Sequence, residues 1–243
     1  AVYQLQVTDK CIVTAVTDPN ADTRYTDFRR RILAVQYTGT WCGYCPRVSL
    51  AIKYFKENYS TADDVVFAAA HYGDNMQTSF ASVLRDYQHI EGYPTLLLNL
   101  NNNADVNQAQ ANKTGAEYIE VARANAMKTE ARSNIRAEVS EPDAEGNITV
   151  TAEVKVNANG RYRVAAWLLE DNFKEGQNDY LQYNDPAIHT HHNVVCTSSA
   201  PESAIGEPLE EGEQLEAEHA YPVVYTFNPA KQCVGDPANC RVI

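Results

Sequence analysis

The sequence predicts an α/β domain over residues 31–131 followed by an all-β antiparallel sandwich over residues 132–243, with an extended segment over residues 1–30 in front. Two observations support this prediction. Between residues 31 and 131, apolar runs of strand length alternate with amphipathic runs of helical period. After Arg132 the hydrophobic period changes from 3.6 to 2, and no helical pattern follows.

The α/β prediction rests on three apolar strands separated by helices. The strands are expected at Ile32–Tyr37, Asp64–His71 and Thr95–Leu98, and the helices at Val48–Tyr59, Met76–His89 and Thr114–Ala131. Strands that are apolar on both faces and alternate with helices are typical of a sheet that is at least partly parallel and covered on both sides.

The all-β prediction rests on alternating runs separated by turn-forming residues such as Glu145-Gly146-Asn147. Strands are expected at Asn134–Ser140, Asn147–Val156, Arg161–Glu170, His192–Thr197 and Tyr221–Phe227. In residues 1–30, the runs Val2–Val7 and Cys11–Val13 before the turn at Asp18-Pro19-Asn20 predict at most one hairpin.

Composition excludes several classes of function. A net charge of −12 and a pI near 4.9 argue against a nucleic-acid surface or a polybasic membrane contact. No apolar run approaches the ~20 residues that span a bilayer, so we expect no transmembrane span. Six cysteines and fifteen tyrosines favour an exported protein. No glycine-rich phosphate loop and no Gly-x-Ser-x-Gly elbow is present, and no cofactor is predicted.

The stretch Cys42-Gly43-Tyr44-Cys45 is the main candidate site. A zinc site would need a second cysteine pair or a histidine pair at fixed spacing, and the sequence has none, so no metal is predicted. A redox centre and a structural clip both remain open. The redox interpretation needs a strand-to-helix junction, where backbone N–H groups favour a thiolate, and the pair lies at such a junction.

Tyr93-Pro94-Thr95 is a second feature that points the same way. It opens a strand after an intervening βα unit, about fifty residues beyond the cysteines. The residue before a proline is held extended, and a cis bond here would present a backbone edge to the thiols. We therefore expect Tyr93–Pro94 to be cis, with its loop against Cys42. A trans proline in a surface turn is the alternative.

With Trp41-Cys42-Gly43-Tyr44-Cys45 and Gly92-Tyr93-Pro94-Thr95, residues 31–131 resemble the thioredoxin fold. The resemblance implies that Cys42 attacks and Cys45 resolves. It also implies that Tyr93, Pro94 and Thr95 hold the partner chain, flanked by Trp41. The expected partners are the thiols or disulfides of exported proteins. From its place at the strand end, Cys42 is expected to be the reactive thiol, with Cys45 buried one helical turn further in.

The whole chain resembles a narrower family. Tyr37–Pro46, Leu168–Asp171 and a later His192–Val195 look like motifs of the Omp28-like outer-membrane-associated proteins of Bacteroidetes. This resemblance implies an exported protein of the cell envelope, periplasmic or outer-membrane-associated, with a lipid anchor upstream as a further expectation.

The chain departs from the thioredoxin pattern at two positions beside the cysteines. Gln36 stands where thioredoxins carry a buried acid, and an amide cannot take the proton of the resolving thiol. Pro46 follows the motif directly and has no N–H for the first helical turn. A strong dithiol reductant is therefore disfavoured, whereas an oxidant, a weak isomerase or a scaffold remains open.

Other polar clusters receive structural interpretations. Cys233 and Cys240 flank a short turn-rich loop and are expected to form a structural disulfide. Cys11 and Cys196 either pair or stay as buried thiols. His189, His191 and His192 with Asp185 are expected to be loop residues without a metal. The acidic run is expected to be a solvated loop or edge strand: Glu207, Glu210, Glu211, Glu213, Glu216 and Glu218.

Two classes of function follow. The first is a thiol–disulfide oxidoreductase that acts on exported proteins through Cys42 and Cys45. The second is a surface or periplasmic binding protein in which the α/β domain is a scaffold and the pair is a structural disulfide. The start at Ala1 fits a processed product or a trimmed chain, and Arg241-Val242-Ile243 is expected to begin a strand that continues in the native protein.

Overall fold

The computed structural model describes residues 5–7, 13–15, 28, 30–100, 112–210, 214–217 and 219–243. The chain divides into two compact units. The α/β unit consists of residues 31–129 and 171–195. The β-rich unit consists of residues 130–170 and 196–243 with the described residues before Arg31.

The α/β unit alternates strands and helices as the sequence predicts. Its strands are β3 (Ile32–Thr38), β4 (Val65–His71), β5 (Thr95–Leu98), β10 (Phe173–Lys174) and β11 (Thr190–His191), and its helices are α1 (Pro46–Asn58), α2 (Ser79–Tyr87) and α3 (Asn112–Ala126). Helix α2 begins at Thr78, whose side chain accepts a hydrogen bond from the Ala81 N–H.

The sheet of this unit is mixed. Strand β3 lies at its centre, parallel to β4 from Ile32↔Val65 to Thr38↔His71 and antiparallel to β5. Beyond β4 lies the start of β12 (Val194–Ser198), which pairs parallel with it at Val194↔Ala69. One core packs α1 and α3 on this sheet, and it includes Ile32, Val48, Phe55, Leu96 and Ile119, all of them buried.

The β-rich unit is largely antiparallel. Its elements are β1 (Leu5–Val7), β2 (Val13–Ala15), β6 (Ser133–Val139), β7 (Ile148–Val156), β8 (Arg163–Val164), β9 (Trp167–Glu170), β13 (Glu207–Pro208), β14 (Ala220–Phe227), α4 (Pro229–Gln232) and β15 (Cys240–Val242). Strand β7 lies between β6 and β14, and β15 pairs antiparallel with β9. The alternating burial of β7 turns its apolar face to a core with Phe227 and Val242.

The predicted order of fold classes, an α/β domain followed by a strand-rich region, is confirmed. The division at 131/132 differs from the structure in one segment, because residues 171–195 belong to the α/β unit. The predicted strand 192–197 is accordingly not part of an all-antiparallel sheet, since β12 begins parallel to β4. A run of alternating residues does not encode which sheet it joins. The predicted strand 161–170 is split into β8 and β9.

Among the described residues, no helix has the length and apolar character needed to cross a membrane.

Candidate redox site and the segment that covers it

Cys42 and Cys45 form a disulfide between the end of β3 and the start of α1. The Cα atoms are 5.4 Å apart. The Cys45 N–H donates to the Cys42 carbonyl, and Cys45 occupies the N-cap position of α1 with Pro46 after it. Cys45 therefore precedes the helix, whereas the sequence placed it one helical turn inside. The reason is that Pro46 is well suited to the first helical position, which makes the preceding residue the cap.

Both sulfur-bearing residues are covered. Cys42 is 5% exposed and Cys45 is 0% exposed. Cys42 is thus the more accessible of the two, in the order that the sequence predicts, but the difference is small.

An aromatic patch lies beside the disulfide. The Trp41 indole N–H donates to the Tyr72 carbonyl at 2.7 Å, and the Trp41 ring meets the Tyr93 ring edge-on at 5.3 Å. Trp41 remains 43% exposed. A side chain at Gly39 would come within 2.6 Å of the Trp41 Nε1 and 2.7 Å of the Tyr72 carbonyl, so this position needs glycine.

The Tyr93–Pro94 loop contacts this patch. The Tyr93–Pro94 bond is cis, and Pro94 and Thr95 are buried. The Tyr93 ring stacks on Tyr72, over which the Arg85 guanidinium lies 4.2 Å from the ring centroid. Burial raises the pKa of the Tyr93 hydroxyl although the Arg85 charge acts against it. The structure therefore brings the Tyr93 ring against Trp41, which precedes Cys42 in the sequence.

A polar segment, residues 177–181, covers the disulfide loop, and we call it the strap. Its main contact is the buried amide of Gln177, whose Nε2 lies 3.3, 3.1 and 2.9 Å from the carbonyl oxygens of Gly39, Thr40 and Cys42. Asn178 donates its backbone N–H to the Thr40 carbonyl and its side-chain amide to the Trp41 carbonyl.

The strap continues with Tyr180, whose N–H donates to the Gly43 carbonyl at 2.9 Å. With the bonds from Gln177 and Asn178, every carbonyl from residue 39 to residue 43 accepts a hydrogen bond from the strap. The Tyr180 ring lies on Gly43, where an added methyl group would overlap it, and meets the Tyr44 ring edge-on at 5.6 Å. The strap thus holds the whole disulfide loop by its backbone.

The position of the thioredoxin acid holds Gln36, which is 5% exposed and donates from Nε2 to the Ser49 hydroxyl at 3.0 Å. This amide occupies a hydrogen-bonded site and has no titratable proton. Gln36 cannot relay a proton to or from Cys45.

A buried Asp–His pair is hydrogen-bonded to the segment that leads into the disulfide loop. His71 Nδ1 is 2.8 Å from Asp74 Oδ2, and Asp74 also accepts the N–H groups of Thr40 and Met76. Burial acts to raise the pKa of Asp74, but the hydrogen bonds from His71, Thr40 and Met76 hold it below its usual value. Asp74 therefore fixes the loop that leads to Cys42.

Near this pair is a cavity of about 430 Å³ within the α/β unit. It is bounded by β3, β4, one face of α1 and residues 187–193. His71 and His191 both line it, with ring centroids 5.3 Å apart. Burial, and next the neighbouring His71 ring, lower the pKa of His191 to about 4, which leaves this imidazole neutral at pH 7.

The other predicted groups lie elsewhere. Cys233 and Cys240 form a disulfide in the β-rich unit, and the sulfur of buried Cys196 lies within 4.8 Å of both sulfurs. The loop between them is held by Glu170, whose carboxylate accepts the backbone N–H groups of residues 234–236. Cys11 lies outside the described residues, so a pairing with Cys196 is not described.

In the described part of the chain, the two remaining histidines of the predicted loop, His189 and His192, take part in hydrogen bonds. Part of the acidic run lies in a strand. His189 Nδ1 accepts the Gln177 N–H, and His192 Nδ1 lies 3.4 Å from the Asn172 N–H. Glu207 starts strand β13, which pairs antiparallel with β8. Glu211, Glu213 and Glu218 lie outside the described residues.

Sequence reasoning missed Gln177, Asn178, Tyr180, His71 and Asp74. The strap residues form a polar stretch without period, about 135 residues from the loop that they bind, and no local signal marks such a pairing. The His71–Asp74 pair had a usable signal, because His71 ends a buried strand and Asp74 follows three residues later, and the ends of α/β strands carry functional groups.

Comparisons with known proteins give the same picture. The family model described as Outer membrane protein Omp28 matches residues 81–234, more than half of the chain. The Thioredoxin family model matches residues 13–124. No curated protein sequence matches the chain.

Among solved structures, HBP35 of Porphyromonas gingivalis is similar in fold, with a TM-score of 0.60 at 17% sequence identity. The match covers 89% of this chain and 74% of that one. At this identity the likeness shows the fold alone, a thioredoxin domain with a β-rich region.

Proposed function

From the premise that this chain belongs to the outer membrane protein Omp28 family and carries a thioredoxin domain, we propose that it is a thiol–disulfide oxidoreductase of other exported proteins. Family membership makes it an exported protein associated with the cell envelope. The observation that supports the redox proposal most is the Cys42–Cys45 disulfide at the amino end of α1, preceded by Trp41, whose ring contacts Tyr93.

The reaction proposed is disulfide exchange. A thiolate of the substrate attacks the Cys42 sulfur, a mixed disulfide forms, and Cys45 leaves as the thiolate. A second substrate thiolate then attacks the substrate sulfur of the mixed disulfide and releases Cys42 as a thiolate, so that the substrate is oxidised and the cysteine pair is reduced. Backbone N–H groups at the start of α1 favour the leaving thiolate.

The chemistry around Cys45 favours oxidation or slow isomerisation over reduction. In the reducing direction Cys45 must lose its proton to attack the mixed disulfide, and Gln36 cannot accept it. A mixed disulfide with Cys42 should consequently be long-lived. The exposed rings of Trp41, Tyr44 and Tyr72 would supply the apolar contact with an unfolded substrate, and Tyr93, Pro94 and Thr95 its backbone contact.

The scaffold alternative is supported by a specific observation. The disulfide is nearly inaccessible, and the strap holds all five carbonyls of its loop, as expected for a structural clip. A substrate would meet the strap beside Cys42, because the Tyr180 ring lies on Gly43.

Activity assays separate the two functions. Wild type, Cys42→Ser and Cys45→Ser are compared in refolding of scrambled ribonuclease and in insulin reduction. The proposal predicts activity that Cys42→Ser abolishes, a trapped mixed disulfide in Cys45→Ser, and weak insulin reduction. A Cys233→Ser/Cys240→Ser variant, which removes the other disulfide, should keep the activity. Equal rates for wild type and Cys42→Ser would contradict the redox function and support the scaffold function.

Alkylation tests which thiol reacts. After mild reduction at neutral pH, we expect iodoacetamide to label Cys42 before Cys45, because Cys42 is the less buried of the two. Mass spectrometry of peptides sampled over time measures both rates. A disulfide that stays intact in a large excess of dithiothreitol would contradict the redox function.

A further inference from the structure

The cavity between α1 and residues 187–193 contains two histidines that the disulfide chemistry does not use. His71 is 2% exposed and lies at the end of β4, and His191 reaches the same cavity from β11. Both rings, the cavity lining and the groups that hold the rings belong to the α/β unit.

Each ring is held through one nitrogen. The Nδ1 of His71 faces the Asp74 carboxylate at 2.8 Å, which places a proton on Nδ1. The Nε2 of His191 lies 3.3 Å from the Glu175 carbonyl oxygen, which can only accept, so that Nε2 carries the proton of this ring. In the neutral rings, the lone pairs are therefore on Nε2 of His71 and Nδ1 of His191.

Those two nitrogens have no hydrogen-bond partner among the described residues. Each ring has the one hydrogen-bond partner that a buried polar group normally requires, through its other nitrogen. Histidines that bind metals almost always hold the ring in this way, with one N–H given to a carboxylate, a backbone carbonyl or water, which fixes the tautomer and the ring orientation. His71 with Asp74 and His191 with the Glu175 carbonyl match both forms of this arrangement.

We propose that His71 and His191 bind a divalent transition-metal ion of the zinc or copper type in this cavity. Imidazole nitrogen suits these ions. The buried negative charge of Asp74 behind His71 favours a cation over an anion. At about 430 Å³ the cavity also has room for water or a small ligand at the remaining coordination positions, next to the hydroxyls of Thr38 and Ser49. The site is independent of the proposed redox function.

Metal binding is measured on tag-free protein with both disulfides intact. Zn(II) is titrated by calorimetry, and Cu(II) is followed by electron paramagnetic resonance, which detects coupling to imidazole nitrogen. We expect one saturable site per chain. His71→Gln and His191→Gln should each abolish it. Asp74→Asn should weaken it about 10–100-fold, because a neutral amide orients the His71 ring less strongly and makes it a weaker base than the carboxylate does.

Two control variants remove side chains elsewhere in the protein that could also bind the metal. His219→Gln removes a histidine of the β-rich unit, and Cys196→Ser removes the thiol beside the Cys233–Cys240 disulfide. Both variants should bind as wild type does. Near-UV circular dichroism checks that each variant is folded. If His71→Gln does not fold, the test rests on His191→Gln, because the His191 side chain is partly exposed and its loss should be tolerated better. Absence of a saturable site in wild type, or binding that survives His191→Gln, would overturn the proposal.

Discussion

At the scale of single residues, glycine at position 43 determines how closely the strap approaches the disulfide. The Tyr180 ring rests on the Gly43 backbone, and the Tyr180 N–H bonds the Gly43 carbonyl. Gln36 also acts through a single functional group. Its amide donates a hydrogen bond to Ser49, but unlike a carboxylic acid it cannot relay a proton. Changes of a few atoms thus decide access to Cys42 and the proton transfer at Cys45.

Gly43→Ala is expected to move Tyr180 off the loop, because the new methyl group overlaps its ring. Tyr180 is 63% exposed and can rotate into solvent, so the loss of stability should be small, about 1 kcal/mol. The Cys42–Cys45 disulfide should then be reduced faster by dithiothreitol. Gly176→Ala, just before the strap and with open space at its Cβ, is the matched control and should leave the rate unchanged.

At the scale of elements, the strap and helix α3 are each fixed by polar contacts over long distances in sequence. The strap contributes side-chain amides and N–H groups to the loop before α1. Helix α3 packs its apolar face on α1 and is tied to the turn at residues 62–64 by Arg123, which bonds Asp64 and Glu120. The strap contacts and the Arg123–Asp64 bond join residues far apart in the sequence, whereas the Arg123–Glu120 bond lies within one turn of α3.

Gln177→Ala removes the amide that reaches three carbonyls. Each of those carbonyls keeps another backbone donor, so we expect a loss of about 1–2 kcal/mol in the free energy of unfolding. The rate of Cys42 labelling after reduction should rise at the same time. Denaturant unfolding and timed alkylation measure the two effects. Gln214→Ala, an exposed glutamine of the β-rich unit, is the control. An unchanged labelling rate would show that Gln177 does not hold the strap.

Glu120 should make stability depend on pH. Its hydrogen bonds from Arg123, with a further one from Thr61, lower its pKa in the folded protein. A group with a lowered folded pKa contributes stability above its unfolded pKa, and this contribution is lost as pH falls through the folded value. Stability of wild type relative to Glu120→Gln should therefore decrease below about pH 4.5. Glu117→Gln, exposed on the same helix, should show a smaller change.

At the scale of the whole molecule, the two units are interleaved along the chain. Residues 171–195 interrupt the β-rich unit and belong to the α/β unit, to which they contribute the strap, β11 and the start of β12. The chain continues in the β-rich unit from residue 196. The α/β unit of this protein is consequently not one contiguous stretch of the chain.

Residues 31–131 expressed alone should not unfold cooperatively. This fragment lacks Asn193 and Val194, which pair with Ala69 on β4, and lacks the strap, which donates to the carbonyls of residues 39–43. Thermal unfolding followed by near-UV circular dichroism, with the full chain as control, tests this expectation. A fragment with a native-like spectrum and a sharp transition would show that residues 171–195 are dispensable.

Local patterns in the sequence were sufficient for the order of strands and helices, the change of period at Arg132 and the position of Cys42 and Cys45 at a strand-to-helix junction. These features depend on residues within one or two turns of each other, so they can be predicted without knowledge of the fold.

The tertiary structure alone decided that residues 171–195 join the α/β unit, that the strap covers the disulfide, and that His71, Asp74 and His191 meet at one cavity. Gln177 of the strap is 135 residues from Cys42, whose carbonyl it binds, and His191 is 120 residues from His71, whose ring it contacts. Hydrophobic periodicity reports which face of an element is buried, but it carries no information on which distant polar group will satisfy a given carbonyl or imidazole.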